Sequence, residues 1–207
     1  MKTKDTYRTI AGNSEGLYKE KGSKFLAFAY HAESEEEVKA RLGELRKKYY
    51  DARHHCYAYS LGATRGAFRM NDDGEPSGTG GKPIYGQLLS MDVTDVLVVV
   101  VRYFGGVLLG TSGLTNAYKT AAREALEAGT IEERTVDDRY RVTFKYEQMN
   151  DVMRIVKDYG LTLTKQRFEM ECEVEFSVRQ SNSERVRQAF ENLRTVRSCI
   201  NLIQCFS

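Results

Sequence analysis

Residues 71–83 read Asn-Asp-Asp-Gly-Glu-Pro-Ser-Gly-Thr-Gly-Gly-Lys-Pro, setting Asp72, Asp73 and Glu75 just ahead of a glycine-rich run. Two chemistries suit that pattern. Backbone amides of residues 78–81 can form a nest for an anion, backed by the dipole of a following helix. Alternatively, the three carboxylates can offer oxygens to a divalent cation. An EF-hand is excluded: aligning Gly74 with that motif's glycine puts Arg69 at the first ligand position and Gly80 where the bidentate glutamate belongs. A third reading needs no ligand, only an ordered turn whose acids cap backbone amides. All three stay open.

A second loop, residues 102–113, reads Arg-Tyr-Phe-Gly-Gly-Val-Leu-Leu-Gly-Thr-Ser-Gly. It follows an aliphatic run and precedes a helical pattern, the setting of a P-loop. Gly105 and Gly110 even carry that spacing, but Thr111 stands where the phosphate-binding lysine must be, so a Walker A motif is rejected. A plainer phosphate contact at the helix start survives, beside a reading in which the glycines simply let strand and helix pack closely. His54-His55-Cys56 suggests a metal or an activated thiol. On a strand, however, adjacent side chains point to opposite faces, so both histidines do not readily meet one ion. No HExxH and no Ser-His-Asp pattern is present. Cys56 reads best as a buried core residue. No metal, cofactor or catalytic residue is assigned.

Elements must position these loops. Residues 6–11 and 22–32 read as strands around a turn at 13–16. Ser34-Glu35-Glu36-Glu37 is a capping box opening a helix with Val38, Leu42, Leu45 and Tyr49 on one face. Residues 54–61 return as a strand, and 83–91 form a short helix with Pro83 in its first turn. Residues 96–101 are apolar without alternation, as in a central strand covered on both faces. A helix over 112–128 packs through Leu114, Tyr118, Ala121 and Ala125, and Gly129 takes the C′ position.

The polar stretch 129–138 is the natural linker, giving domains at 1–130 and 139–207 with 131–138 between them. Beyond it, 139–146 alternates, and a helix follows with Val152, Ile155, Val156 and Tyr159 together. Residues 161–167 and 169–178 are strands, the second placing Met170, Cys172, Val174, Phe176 and Val178 on one face. Ser181 and Glu184 cap a further helix, and 200–206 closes as a strand. This βαββαβ order is ferredoxin-like, making the whole an α+β fold. On its open face Arg139, Arg141 and Lys145 should pair with Glu169, Glu171, Glu173 and Glu175. A self-neutralised face is therefore favoured over an RNA-binding platform, which needs unpaired charge and stacking aromatics.

Charge supports that restraint. The 207 residues carry a formal net charge of only +2, with 18 basic and 16 acidic residues up to Thr130 and 13 of each after it. Nucleic-acid binding would need a local patch. Lys19, Lys21 and Lys24 offer one, with Arg46, Lys47, Lys48 and Arg53. No secretory signal opens the sequence and no apolar run is long enough for a membrane span. The four cysteines show no zinc spacing, so reduced thiols and a cytoplasmic location are expected.

Four blocks now carry a resemblance: residues 21–27 (KGSKFLA), 54–59 (HHCYAY), 71–79 (NDDGEPSGT) and 98–106 (VVVVRYFGG). In this order they resemble the signature blocks of the YigZ/IMPACT family. The resemblance implies an N-terminal domain like the second domain of a small-subunit ribosomal protein. It also implies a C-terminal domain similar to domain V of the translocation GTPase. It implies a regulatory binding role linked to translation, with RNA, the ribosome or a translation-associated protein as partner. The expected contacts are Lys24, His54, His55, Asp72, Asp73, Glu75, Ser77, Gly78, Lys82, Arg102, Tyr103, Phe104, Gly105 and Gly106. The alternative is a small metal- or acid/base-dependent enzyme using the 71–83 loop. Many relatives carry Lys where this chain has Leu108 and Arg where it has Asn116, which weakens a phosphate grip at that edge.

Overall fold

The computed structural model describes residues 5–193 and 199–205. Two compact units divide it, one over 7–134 and one joining the N-terminal end to 135–207. The chain runs β1 (Thr6–Ile10), β2 (Ser14–Glu20), β3 (Ser23–His31), α1 (Glu35–Lys48), β4 (His54–Leu61), β5 (Ala67–Asn71), α2 (Gly81–Ser90), β6 (Val96–Tyr103), α3 (Gly110–Ala128) and β7 (Ile131–Thr135). Then come β8 (Asp137–Lys145), α4 (Met149–Asp158), β9 (Thr162–Phe168), β10 (Glu171–Arg179), α5 (Gln180–Glu191) and β11 (Cys199–Cys205).

In the first unit an antiparallel sheet has the order β2-β3-β6-β4-β5. The aliphatic run sits at its centre, as its two-sided apolarity requires. Val96, Val98 and Val100 join the core made with α2 and α3, while Leu97, Val99 and Val101 join the one under α1. α1 starts where the capping box places it. The Ser34 hydroxyl accepts from the Glu37 amide, and the Glu37 carboxylate reaches back to the Glu33 amide.

Several expectations are corrected. The turn expected at 13–16 is the start of β2, a strand whose mixed polarity and glycine hide its period. Its turn to β3 is Lys21-Gly22, both at positive φ (45° and 80°), the geometry of a two-residue hairpin. β5 was also unseen, being largely exposed at the sheet's other edge. The expected linker 131–138 is strand over most of its length. β7 pairs with β1, and Ile131 packs on the first core, an anchor that its charged neighbours mask. Gly129 is not a left-handed cap, since its φ is −84°. Its smallness serves packing instead: a Cβ there would lie 2.8 Å from the Ser14 hydroxyl oxygen.

The second unit has the expected βαββαβ order, with strand order β11-β8-β10-β9 and one apolar core under α4 and α5. Its open face neutralises part of its charge, although Arg139 lies opposite Ser177 rather than an acid. Arg141 lies opposite Glu175 and meets it at 2.6 Å and Glu173 at 3.5 Å, while Lys165 approaches the same two acids. Glu169 lies outside β10 and pairs with Arg167. Met170 is not inward but fully exposed, because β10 begins one residue later. Ser181 does not cap α5, which starts at Gln180. It joins Arg179 in hydrogen-bonding Asp5, whose carboxyl is held far below the ordinary range, first by Arg179. Among the expected strand 200–206, residue 206 lies outside the described residues.

Two glycines in the first unit make opposite predictions. A Cβ on Gly16 would lie 2.5 Å from the Ala125 backbone nitrogen, whereas one on Gly43, inside α1, would meet nothing within 4 Å. Gly16→Ala should cost about 2–3 kcal/mol in urea unfolding through overpacking. Gly43→Ala should instead stabilise by about 1 kcal/mol through helix propensity.

Candidate functional site

The two loops meet. Arg102, at the end of β6, donates to the Glu75 carboxylate at 2.6 Å, and the Tyr118 hydroxyl on α3 donates to the same oxygen at 2.7 Å. Side chains of both Glu75 and Arg102 are more than nine-tenths buried. The Arg102 guanidinium also lies over the rings of Phe25 (5.5 Å) and Phe104 (5.7 Å). A charge taken from water needs such company, because an unpaired one would be strongly destabilising.

Asp72 answers the question of the glycine nest. Its carboxylate accepts from the amides of Gly78 (2.8 Å), Gly80 (2.9 Å) and Gly81 (2.8 Å). The amides converge as an anion nest would, but on the chain's own aspartate, which matches the reading of an ordered turn whose acids cap backbone amides. Burial alone would raise the Asp72 pKa, and the three amides outweigh burial and lower it below 3.8. A Cβ on Gly81 would lie 2.5 Å from the Asn71 nitrogen, which is why this arm of the loop tolerates no side chain there.

Asp73 closes the strand beneath. It sits at positive φ (42°), accepts from the His55 amide at 2.7 Å and pairs with Arg46 at 3.0 Å. Its carbonyl lies 2.9 Å from His54 Nδ1, and since a carbonyl only accepts, that nitrogen carries the proton. His54 Nε2 then faces Glu75 at 4.0 Å. His55 is buried, with Nε2 lacking a hydrogen-bond partner. Burial pushes its pKa down against the pull of Asp73. The Cys56 thiol donates to the Asp72 carbonyl at 2.9 Å, and burial pushes its pKa far up, the opposite of an activated nucleophile.

The acids thus face separate protein donors rather than one shared point. Among the described residues no group of three or more His, Cys, Asp or Glu side chains is arranged to hold a metal.

Of the expected contact residues, His54, His55, Asp72, Asp73, Glu75, Gly78 and Arg102 gather in this network. Ser77 lies exposed on the loop and Lys82 exposed in the first turn of α2. Lys24, Tyr103 and Phe104 lie instead on a groove beside it, where Leu17, Lys19, Gly22 and Leu26 complete the lining. Tyr103 donates to Asp51 at 2.7 Å, and that bond leads the effects that push its pKa up to about 12. Gly105 packs against the β2–β3 hairpin so closely that a Cβ would overlap Gly22, and its amide donates to the Ser23 hydroxyl. Gly106 takes a positive φ of 88°. Tyr118 was legible only as a packing residue; nothing local in sequence ties it to Glu75.

Removing the charge on Glu75 should be the costly change. Glu75→Gln leaves Arg102 buried without its counter-ion and should lose about 3–5 kcal/mol in equilibrium unfolding. Tyr118→Phe removes one hydrogen bond to a charged acceptor and should lose about 1.5–3 kcal/mol. Asp72 adds a pH signature. Its folded pKa lies below 3.8, so its contribution is full above that value and is lost as pH falls through the lower folded pKa. Asp72→Asn should cost about 2–3 kcal/mol near neutrality and remove that part of the acid slope.

Comparison with known proteins follows the same chain order. Residues 21–126 match the family model of the Impact N-terminal domain. An IMPACT family member of Haemophilus influenzae is 30% identical over 185 residues, 88% of each chain. The IMPACT family member YigZ of Escherichia coli is 39% identical over 134 residues, 64% of this chain and 66% of that protein. The crystal structure of a hypothetical protein at 26% identity superposes with a TM-score of 0.75, covering 98% of this chain and 99% of that one. The two-domain translational regulator Yih1 is 29% identical over 58% of this chain and 48% of its own, with a TM-score of 0.37. With its N-terminal half matched by the family model and a relative aligned over most of both lengths, the chain belongs to the YigZ/IMPACT family.

Proposed function

We infer that the chain is a non-catalytic binding protein acting in the cytoplasm on the translation apparatus, through RNA, the ribosome or an associated protein. One observation carries the reading. The groups that could do chemistry are spent on one another: Asp72 on amides, Asp73 on Arg46 and β4, Glu75 on Arg102 and Tyr118. The loops then act as a rigid frame, and the second loop presents Phe104, Val107 and Leu108 outward beside Lys24 of β3. The tie to translation comes through the family, in which Yih1 is named a translational regulator. The βαββαβ unit suits a ferredoxin-like module with a self-neutralised sheet, which argues for contact through the first unit. No helix among the described residues is long and apolar enough to cross a membrane.

Affinity capture of the tagged chain from cells, with and without nuclease, checks this. Ribosomal or translation-factor proteins should be enriched in at least one arm, and a chain that enriches none in either arm is not translation-linked. The enzyme alternative would gain if a bound divalent metal co-purified stoichiometrically and was lost in Asp73→Ala.

A further inference from the structure

The groove beside the loops is built on one face of the sheet. Leu17 lies opposite Leu26, Lys19 opposite Lys24, and Lys24 opposite Tyr103, so these side chains rise from the same surface. With Gly22 and Phe104 they line a cavity of about 490 Å³. α1 covers this face over β6 and β4, where Val99 and Val101 are fully buried. Toward β2 the cover ends: Leu17 is 46% exposed and Phe104 is 52% exposed. An aliphatic and aromatic floor left open in this way is a surface shaped for a partner.

Its charge is one-sided. Lys19 and Lys24 are exposed at the rim, Lys21 caps the adjoining hairpin, and none of the lining residues is acidic. Asp51 is engaged with the Tyr103 hydroxyl and Glu20 with Tyr18, and Glu15 is the acid that shares the Leu17 face, farther along β2. The floor is also held in place. Phe104 lies against Arg102, which Glu75 fixes, and Gly105 locks the following loop onto the hairpin. Such preorganisation lowers the cost of binding.

We propose that this groove binds a short amphipathic acidic segment of a partner protein, its apolar side chains on Leu17, Leu26 and Phe104 and its carboxylates on Lys19 and Lys24. RNA fits the floor less well. Leu17 and Leu26 offer no stacking face, and one face of Phe104 is taken by Arg102. Two rim lysines are few for a grip on phosphates. Recognition of an amphipathic segment in an apolar groove needs only the features present here. The proposal rests on the binding-protein reading and names the partner class for it.

The test places the photo-crosslinking residue p-benzoylphenylalanine at Leu17 of the full chain in cells, with Leu89 on the outer side of α2 as the control position. The expected adduct is a protein that survives nuclease and is absent from the Leu89 control. Its crosslinked peptide should be rich in Asp or Glu spaced among apolar residues. A synthetic peptide of that segment should bind the purified chain in fluorescence anisotropy. Lys19→Glu with Lys24→Glu, both exposed and outside the cores, should weaken it at least tenfold, and Phe104→Ser should do so independently. A nuclease-sensitive adduct, an adduct to a second copy of this chain, a basic or purely apolar segment, or no adduct above the control would each overturn the proposal. An acidic amphipathic segment from a protein outside translation would leave the groove assignment standing and defeat the translation reading instead.

Discussion

A buried ion pair organises the first unit. Glu75 lies in the first loop and Arg102 at the end of β6, and each needs the other because both side chains are almost wholly taken from water. Desolvating two charges is expensive, and the attraction between them repays it only when the geometry is good and the remaining lone pairs and protons are met. Tyr118 takes the carboxylate from α3, and Phe25 and Phe104 flank the guanidinium. Residues from two loops, a strand and a helix are thereby committed to one arrangement. The one buried atom of Arg102 left without a partner, Nε, marks where that arrangement is least complete.

From that pair the behaviour of the acidic loop follows. Glu75 is pulled inward, so the chain before and after it must turn sharply, and Asp73 and Gly74 adopt positive φ to allow it. Turning leaves amides at 78, 80 and 81 pointing into the loop, and Asp72 satisfies them. An amide nest that faces inward and holds an internal carboxylate is a structural brace, since an external anion would have to displace a charge held by three donors. The same residues that read as a ligand site thus become the reason the loop is stiff.

What sequence could show depended on whether the signal was local. β6 was legible because its aliphatic run admits only a strand buried on both faces, and α1 because Ser34 and Glu37 announce its start within one turn. β2 and β7 were not: Ser14–Glu20 alternates around a glycine and charges, and Ile131–Thr135 hides one anchoring isoleucine among glutamates. The site divides in the same way. The loops were readable as blocks, but their meeting and the choice of Asp72 over an outside anion depend on backbone directions fixed by tertiary contacts. Tyr118 as partner to Glu75, 43 residues away, carries no local mark at all.

Charge placement then separates the two units. On the second sheet, Arg141 and Lys165 meet Glu173 and Glu175 across neighbouring strands, leaving little field for a polyanion. On the first sheet, Lys19 and Lys24 face each other across β2 and β3, a like-charge pairing that costs stability. An edge strand gains protection from such lysines against stray pairing, yet the apolar floor between them goes uncovered. Protection alone would be served as well by polar residues at positions 17 and 104. Leucine and phenylalanine there, framed by unneutralised lysines, are what a surface needs when the missing cover is an acidic partner.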